Sequence, residues 1–121
     1  MDEIIKNWFP IVRILGSLGL MPSSCLGDDK ANYEPSHGSA PDITGKNITN
    51  PYYMIGSVAM MLENSINMAA EAKNVWAAMQ GVFADDYSAA DFSKPGRGVV
   101  MINTVEFGDK VAEKLRQMLK V

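Results

Sequence analysis

One cysteine and one histidine in 121 residues remove several kinds of chemistry at the outset. Cys25 cannot form a disulfide within the chain, and Cys25 with His37 is too small a set of ligands for a structural zinc site. No apolar run approaches the roughly 20 residues that a membrane-spanning helix needs. Residues 4–15 are hydrophobic, but Lys6, Asn7, Pro10 and Arg13 interrupt them and no small-residue cleavage site follows. The expected setting is therefore the cytoplasm, with no membrane partner. A net charge of −3 and the lack of any long Lys/Arg cluster exclude a nucleic-acid footprint. The carboxylate pairs Asp28-Asp29 and Asp85-Asp86 are sequence neighbours in turn-like contexts that solvate such pairs and suggest no metal.

What is there fits one modest domain. At 47% hydrophobic and 21% charged, the chain reads as globular and not disordered. Its nine methionines fall mostly at helical spacing beside alanine and leucine, where core filling is their natural use. Ile4, Ile5, Trp8 and Val12 share one face of a candidate helix over residues 1–15 that Pro10 would kink. Residues 16–24 read as a close-packed connection of small residues, since the G-x-G-x-x-G spacing of a phosphate-binding loop is missing. A solvated turn at 27–30 and a short strand at 31–34 follow. Asn50 suits a helix N-cap and Pro51 the first helical position, which predicts a helix over 51–64. Met54, Ile55, Val58, Ala59, Met61 and Leu62 would bury it on several sides. A second helix near 68–84 carries Ala72, Val75, Trp76, Met79, Val82 and Phe83 on one stripe. After a polar connection over 85–98 and an extended segment at 99–102, Asn103 or Thr104 caps a last helix with Glu106 in its first turn. Its apolar stripe is Gly108, Val111, Ala112, Leu115, Met118 and Leu119.

Between the strand and the first of these helices lies a turn-rich segment holding the only histidine. Its prolines and glycines fix the backbone and leave a ring, a carboxylate and an amide with little freedom of direction, as a ligand-binding loop requires. Gly45-Lys46 does not make a phosphate loop: Gly38 lies two positions too early, and Asn47 stands where a hydroxyl would hold magnesium. Ser36 and Ser39 flank His37, but no orienting acid is evident for a nucleophile and base. The residue types suit a nucleotide better. His37 can lie against a base, Asp42 can accept both hydroxyls of a ribose, and Asn50 offers an amide to an adenine edge. The other use of His37 is simply to brace a turn.

The whole run Glu34-Pro35-Ser36-His37-Gly38-Ser39-Ala40-Pro41-Asp42-Ile43-Thr44-Gly45-Lys46-Asn47-Ile48-Thr49-Asn50-Pro51 resembles the cofactor loop of the isocitrate/isopropylmalate dehydrogenase family, which are metal-dependent oxidative decarboxylases. The resemblance extends through Gly16-Ser17-Leu18-Gly19-Leu20-Met21-Pro22-Ser23 upstream, and through Ala59-Met60-Met61-Leu62 and Thr104-Val105-Glu106-Phe107-Gly108-Asp109 downstream. It looks most like the NAD-dependent 3-isopropylmalate branch of leucine biosynthesis, with homoisocitrate, tartrate and malate relatives close. The implied fold is α/β: a partial isopropylmalate-dehydrogenase-like domain, predominantly helical with few short strands. Residues 1–14 look unrelated to the family, and 15–121 correspond to the C-terminal segment of its cofactor-binding domain.

The resemblance implies that His37 contacts the adenosine, Asp42 binds the ribose hydroxyls and Asn50 contacts adenine, with Gly38, Ser39, Ala40 and Ile43 lining the same groove. Asp42 implies NAD over NADP, because a carboxylate repels a 2′-phosphate; relatives that use NADP carry lysine and tyrosine at the positions of Asp42 and Ile43. No catalytic or metal-binding residue is implied here. In the family the acid-base lysine and tyrosine, the substrate-clamping arginines and the dimer-forming domain all precede the matching part. The two metal-binding aspartates align with Ile5 and Phe9, which cannot coordinate magnesium or manganese. The metal belongs to the complete family enzyme. The expectation is thus a fragment that retains a weak or vestigial NAD site at its adenosine side. Helices with uncovered apolar faces would then form a homo-oligomer or dock onto a complementary N-terminal half. The competing expectation is a non-catalytic interaction protein or inert remnant that uses the helices for assembly.

Overall fold

A computed structural model describes residues 21–89 and 98–120. The candidate helix over 1–15, most of the connection before Met21, and Ile5 and Phe9 lie outside the described residues. The element order is β1 (Pro22–Leu26), β2 (Ala31–Pro35), α1 (Tyr52–Asn64), α2 (Ala69–Ala84), β3 (Tyr87–Ser88), β4 (Val100–Met101) and α3 (Thr104–Leu119). The architecture is mixed α/β and helix-rich with few short strands, as the resemblance implies.

β1 and β2 form an antiparallel hairpin in register Pro22↔Pro35 to Leu26↔Ala31, closed by Gly27 N donating to Lys30 O at 2.9 Å. β1 corrects the expectation of a mere connection at 16–24. Pro-Ser-Ser-Cys-Leu carries no alternating apolar pattern, so cross-strand pairing and not side-chain periodicity makes it a strand; Pro22 sits at its first position, where a missing N–H is tolerated. The hairpin packs on α1, α1 on α2, and α2 on α3. A bond of 2.6 Å between the Tyr33 and Ser65 hydroxyls ties β2 to the end of α1. β3 and β4 pair in parallel, with Val100 N donating to Asp86 O and Ile102 N to Ser88 O. β3 lies inside what the sequence reads as polar connection, and Ser88 and Ala89 are buried there.

α1 buries Ala59 as expected, and Ile55, Met61 and Leu62 in part, but not Met54 or Val58. Its inward face is Tyr53, Gly56, Ser57 and Ala59, whereas Met54 and Val58 are 53% and 42% exposed. Close approach explains the choice. A Cβ on Gly56 would stand 2.8 Å from Trp76 Cη2 and 3.1 Å from Pro22 Cγ, so only a glycine lets both α2 and the hairpin close on this helix. The buried Ser57 hydroxyl donates to Tyr53 O at 2.9 Å, which satisfies it within the helix.

The core lies between α2 and α3, where Ala78, Met79 and Val82 meet Phe107 and Val111. The stripe expected on α3 is therefore displaced: Phe107 is fully buried, while Met118 and Leu119 at the far end are 45% and 53% exposed. An aromatic chain crosses all three helices, with ring centroids 5.4 Å apart between Tyr52 and Phe83 and again between Phe83 and Phe107. Burial raises the Tyr52 phenol above its ordinary pKa. Lys114 and Asp85 add an ion pair at 2.6 Å between α3 and the end of α2, but its partners are too exposed for it to contribute more than about 1 kcal/mol.

Phe107→Ala removes the largest shared core side chain of α3 and is expected to destabilise the chain by about 3–5 kcal/mol in urea denaturation. Val105→Ala, two residues earlier and 61% exposed, should stay within about 0.5 kcal/mol of the parent.

Candidate functional site

The segment from Ser36 to Asn50 leaves the hairpin and enters α1 without a strand or helix of its own. Hydrogen bonds nevertheless fix much of its path. Ser36 N donates to Met21 O, which extends the hairpin by one rung. Residues 40–46 then wind around the Ala40 carbonyl, which accepts from Ile43 N at 3.0 Å, Thr44 N at 3.2 Å and the Thr44 hydroxyl at 3.1 Å. The same hydroxyl lies 3.1 Å from Ser39 O, and Lys46 N donates to Ile43 O. Ala40, Gly45 and Asn47 take positive φ angles of 41°, 78° and 56°. Glycine takes such an angle freely and asparagine tolerates it, but at Ala40 it is strained, held by the three bonds to that carbonyl.

The last residues of the segment, 47–50, are anchored to two helices, while its start is held by the hairpin. Asn50 Oδ1 accepts from Tyr52 N at 2.9 Å, so its side chain serves the first turn of α1 although the backbone cap falls one residue later, at Pro51. On the other side, Asn47 O accepts from Thr104 N at 3.1 Å and Asn47 Oδ1 from Val105 N at 3.2 Å, while the Thr104 hydroxyl donates to Thr49 O at 2.5 Å. The first turn of α3 is itself closed by a capping box, with Glu106 N donating to Asn103 Oδ1 and Asn103 N to Glu106 Oε2.

The residues singled out from sequence fall into two groups on this frame. His37, Gly38, Ser39, Ala40 and Asp42 are exposed on the loop, and Ile43 is half-buried among them. Asn50 is apart from these: at 1% exposure it lies beneath the surface at the mouth of α1. His37 Nδ1 is 2.8 Å from Gly38 O. A carbonyl can only accept, so Nδ1–H is the donor in this bond. Among the described residues, its chain neighbours apart, no atom lies within 4 Å of where a Gly38 side chain would begin, so that stretch of backbone is open to approach. The loop thus presents an imidazole ring, a carboxylate at Asp42 and an apolar side chain at Ile43. Among the described residues no three of His, Cys, Asp and Glu come together as a metal site requires.

Sequence reasoning missed the residues that brace this loop: Thr44, Asn47, Thr49 and Thr104. Only Asn47 carries a local signal, as asparagine is favoured at positive φ, and its partners lie 57 and 58 residues away.

A profile of the isocitrate/isopropylmalate dehydrogenase family matches residues 11–111. The 3-isopropylmalate dehydrogenase of Chlorobium luteolum is 45% identical over 102 residues, which cover 84% of this chain and 28% of that protein. That of Thermotoga maritima is 45% identical over 103 residues, covering 85% and 28%. Among solved structures, the apo form of a beta-decarboxylating dehydrogenase from Thermococcus kodakarensis superposes with a TM-score of 0.77 and 32% identity over 91% of this chain and 30% of its own. The chain thus spans less than a third of the length of these relatives.

Asn103→Ala removes the acceptor for Glu106 N and should lower stability by about 1 kcal/mol. Amide exchange would show its origin: Glu106 N–H loses protection first, while amides at the centre of α2 change only with global stability.

Proposed function

The chain belongs to the isocitrate/isopropylmalate dehydrogenase family, and on that premise we propose that it forms the adenosine side of the NAD site of a 3-isopropylmalate-type dehydrogenase. What supports this reading above all is the construction of the loop. Its backbone is pinned from behind at Asn47, Thr49 and Asn50, and the groups a nucleoside would meet, His37 and Asp42, face solvent. Such a loop is ordered before its ligand arrives, so binding need not supply that ordering.

In this reading His37 and the open backbone at Gly38, Ser39 and Ala40 receive the adenosine. The Asp42 carboxylate accepts the two ribose hydroxyls, and Ile43 packs against the sugar. Asn50, which the family pattern assigns to adenine, is buried here and supports the loop by capping the first turn of α1. A phosphate in place of the 2′-hydroxyl would meet the Asp42 carboxylate, which favours NAD over NADP. When bound, NAD accepts a hydride from a 2-hydroxy acid, and in the complete family enzyme magnesium or manganese assists the decarboxylation that follows. The part of this chain is to bind and orient the far end of the cofactor. The exposed apolar side chains of α1, Met54 and Val58, favour assembly with a second copy or with a complementary N-terminal half.

Titration of the full chain with NAD, NADP and ADP-ribose, followed by NMR at His37 and Asn50, tests the reading. Saturable shifts with NAD and ADP-ribose and weaker ones with NADP are expected, and Asp42→Lys combined with Ile43→Tyr should reverse the preference. Absence of any saturable shift at millimolar NAD leaves only the alternative in which the helices serve assembly alone.

A further inference from the structure

The first turn of α3 has a use that its sequence does not announce. A helix opens with amides that have no partner in the helix and that commonly bind anions. Here the first three are already taken. Thr104 N and Val105 N donate to the backbone and side-chain oxygens of Asn47, and Glu106 N donates to Asn103 Oδ1; the first intrahelical bond is Phe107 N to Asn103 O. One loop residue thus caps two amides of a helix 57 residues further along the chain, and the Thr104 hydroxyl returns a bond to Thr49 O. Because α3 is fixed to the core through Phe107 and Val111, Asn47 connects the loop to the most buried part of the molecule.

We infer that Asn47 is a positioning residue: its side-chain bond to Val105 N holds the loop in its nucleotide-ready conformation and so sets nucleotide affinity. This rests on the nucleotide reading above. Asn47 is exposed and lies outside the set of residues proposed to touch the ligand, so it acts only through the path of the chain. Its φ of 56° shows why asparagine suits the position. The residue must tolerate the left-handed region and also present an acceptor three bonds from Cα; glycine meets the first requirement alone, and alanine neither. Without the acceptor, loop 40–47 samples other paths, and apparent affinity falls by the fraction of chains in the competent one.

The experiment compares Asn47→Gly and Asn47→Asp with the parent in the full chain, reading the amide-exchange protection of Val105 and the dissociation constant for ADP-ribose. Asn47→Gly keeps the backbone angle and loses the acceptor. It is expected to expose the Val105 amide and weaken ADP-ribose binding by about three- to tenfold, with the protection of α2 amides retained. Asn47→Asp keeps an acceptor beside a helix N-terminus, where a negative charge is favoured, and should restore both readouts. Equal affinity of Asn47→Gly and the parent, or failure of Asn47→Asp to restore binding, overturns the inference while leaving the nucleotide reading intact. If the parent binds no ADP-ribose, that reading fails and the inference fails with it.

Discussion

Everything proposed for this protein depends on one joint, the meeting of a surface loop with the N-terminus of α3. A helix end leaves donors unsatisfied and an irregular loop leaves acceptors unsatisfied, so each supplies what the other lacks. Asn47 and Thr49 on the loop, and Thr104 and Val105 on the helix, close this exchange within four residues. The loop gains a fixed path without a strand or helix of its own. The helix gains a start that its own Asn103–Glu106 box completes.

The joint is useful only because α3 is itself immobile, and its burial sees to that. Phe107 is one residue beyond the capping box and is fully buried against α2. From there the aromatic chain leads through Phe83 to Tyr52, which is the first residue of α1 and follows the loop's other anchor at Asn50 by two positions. The two helices that hold residues 47–50 are therefore joined through packed rings, and not only through the loop. Gly56 contributes at a distance by letting α1 settle against Trp76 and Pro22, which brings the hairpin that feeds the loop onto the same body. Ion pairs contribute little, since Lys114–Asp85 lies in a half-exposed setting where screening is strong.

Much of this arrangement is legible in the sequence, and the parts that are not share a cause. The three helices, a cap at Asn103 or Thr104, the strand at β2 and the family loop all declare themselves within a few residues, through periodicity, caps or an extended motif. β1 does not, because Ser23, Ser24 and Cys25 acquire strand geometry only from pairing with β2. The inward face of α1 was only partly readable for a related reason: hydropathy selects Met54 and Val58 along with Ala59, while the approach of α2 and the hairpin selects Gly56 and Ser57. The bracing residues of the loop are the extreme case, with partners more than fifty positions away. The identities of His37, Asp42 and Asn50 are local; the reason they are held still is not.

The most direct test of the central claim is an isotope-filtered NOE experiment on the labelled chain with NAD. Contacts from the adenosine ribose protons to the Ile43 methyl groups, and from adenine to the His37 ring, are the predicted result. Their absence under saturating NAD, or contacts confined to the exposed Met54 and Val58 of α1, would contradict the assignment of this loop as the nucleotide cradle.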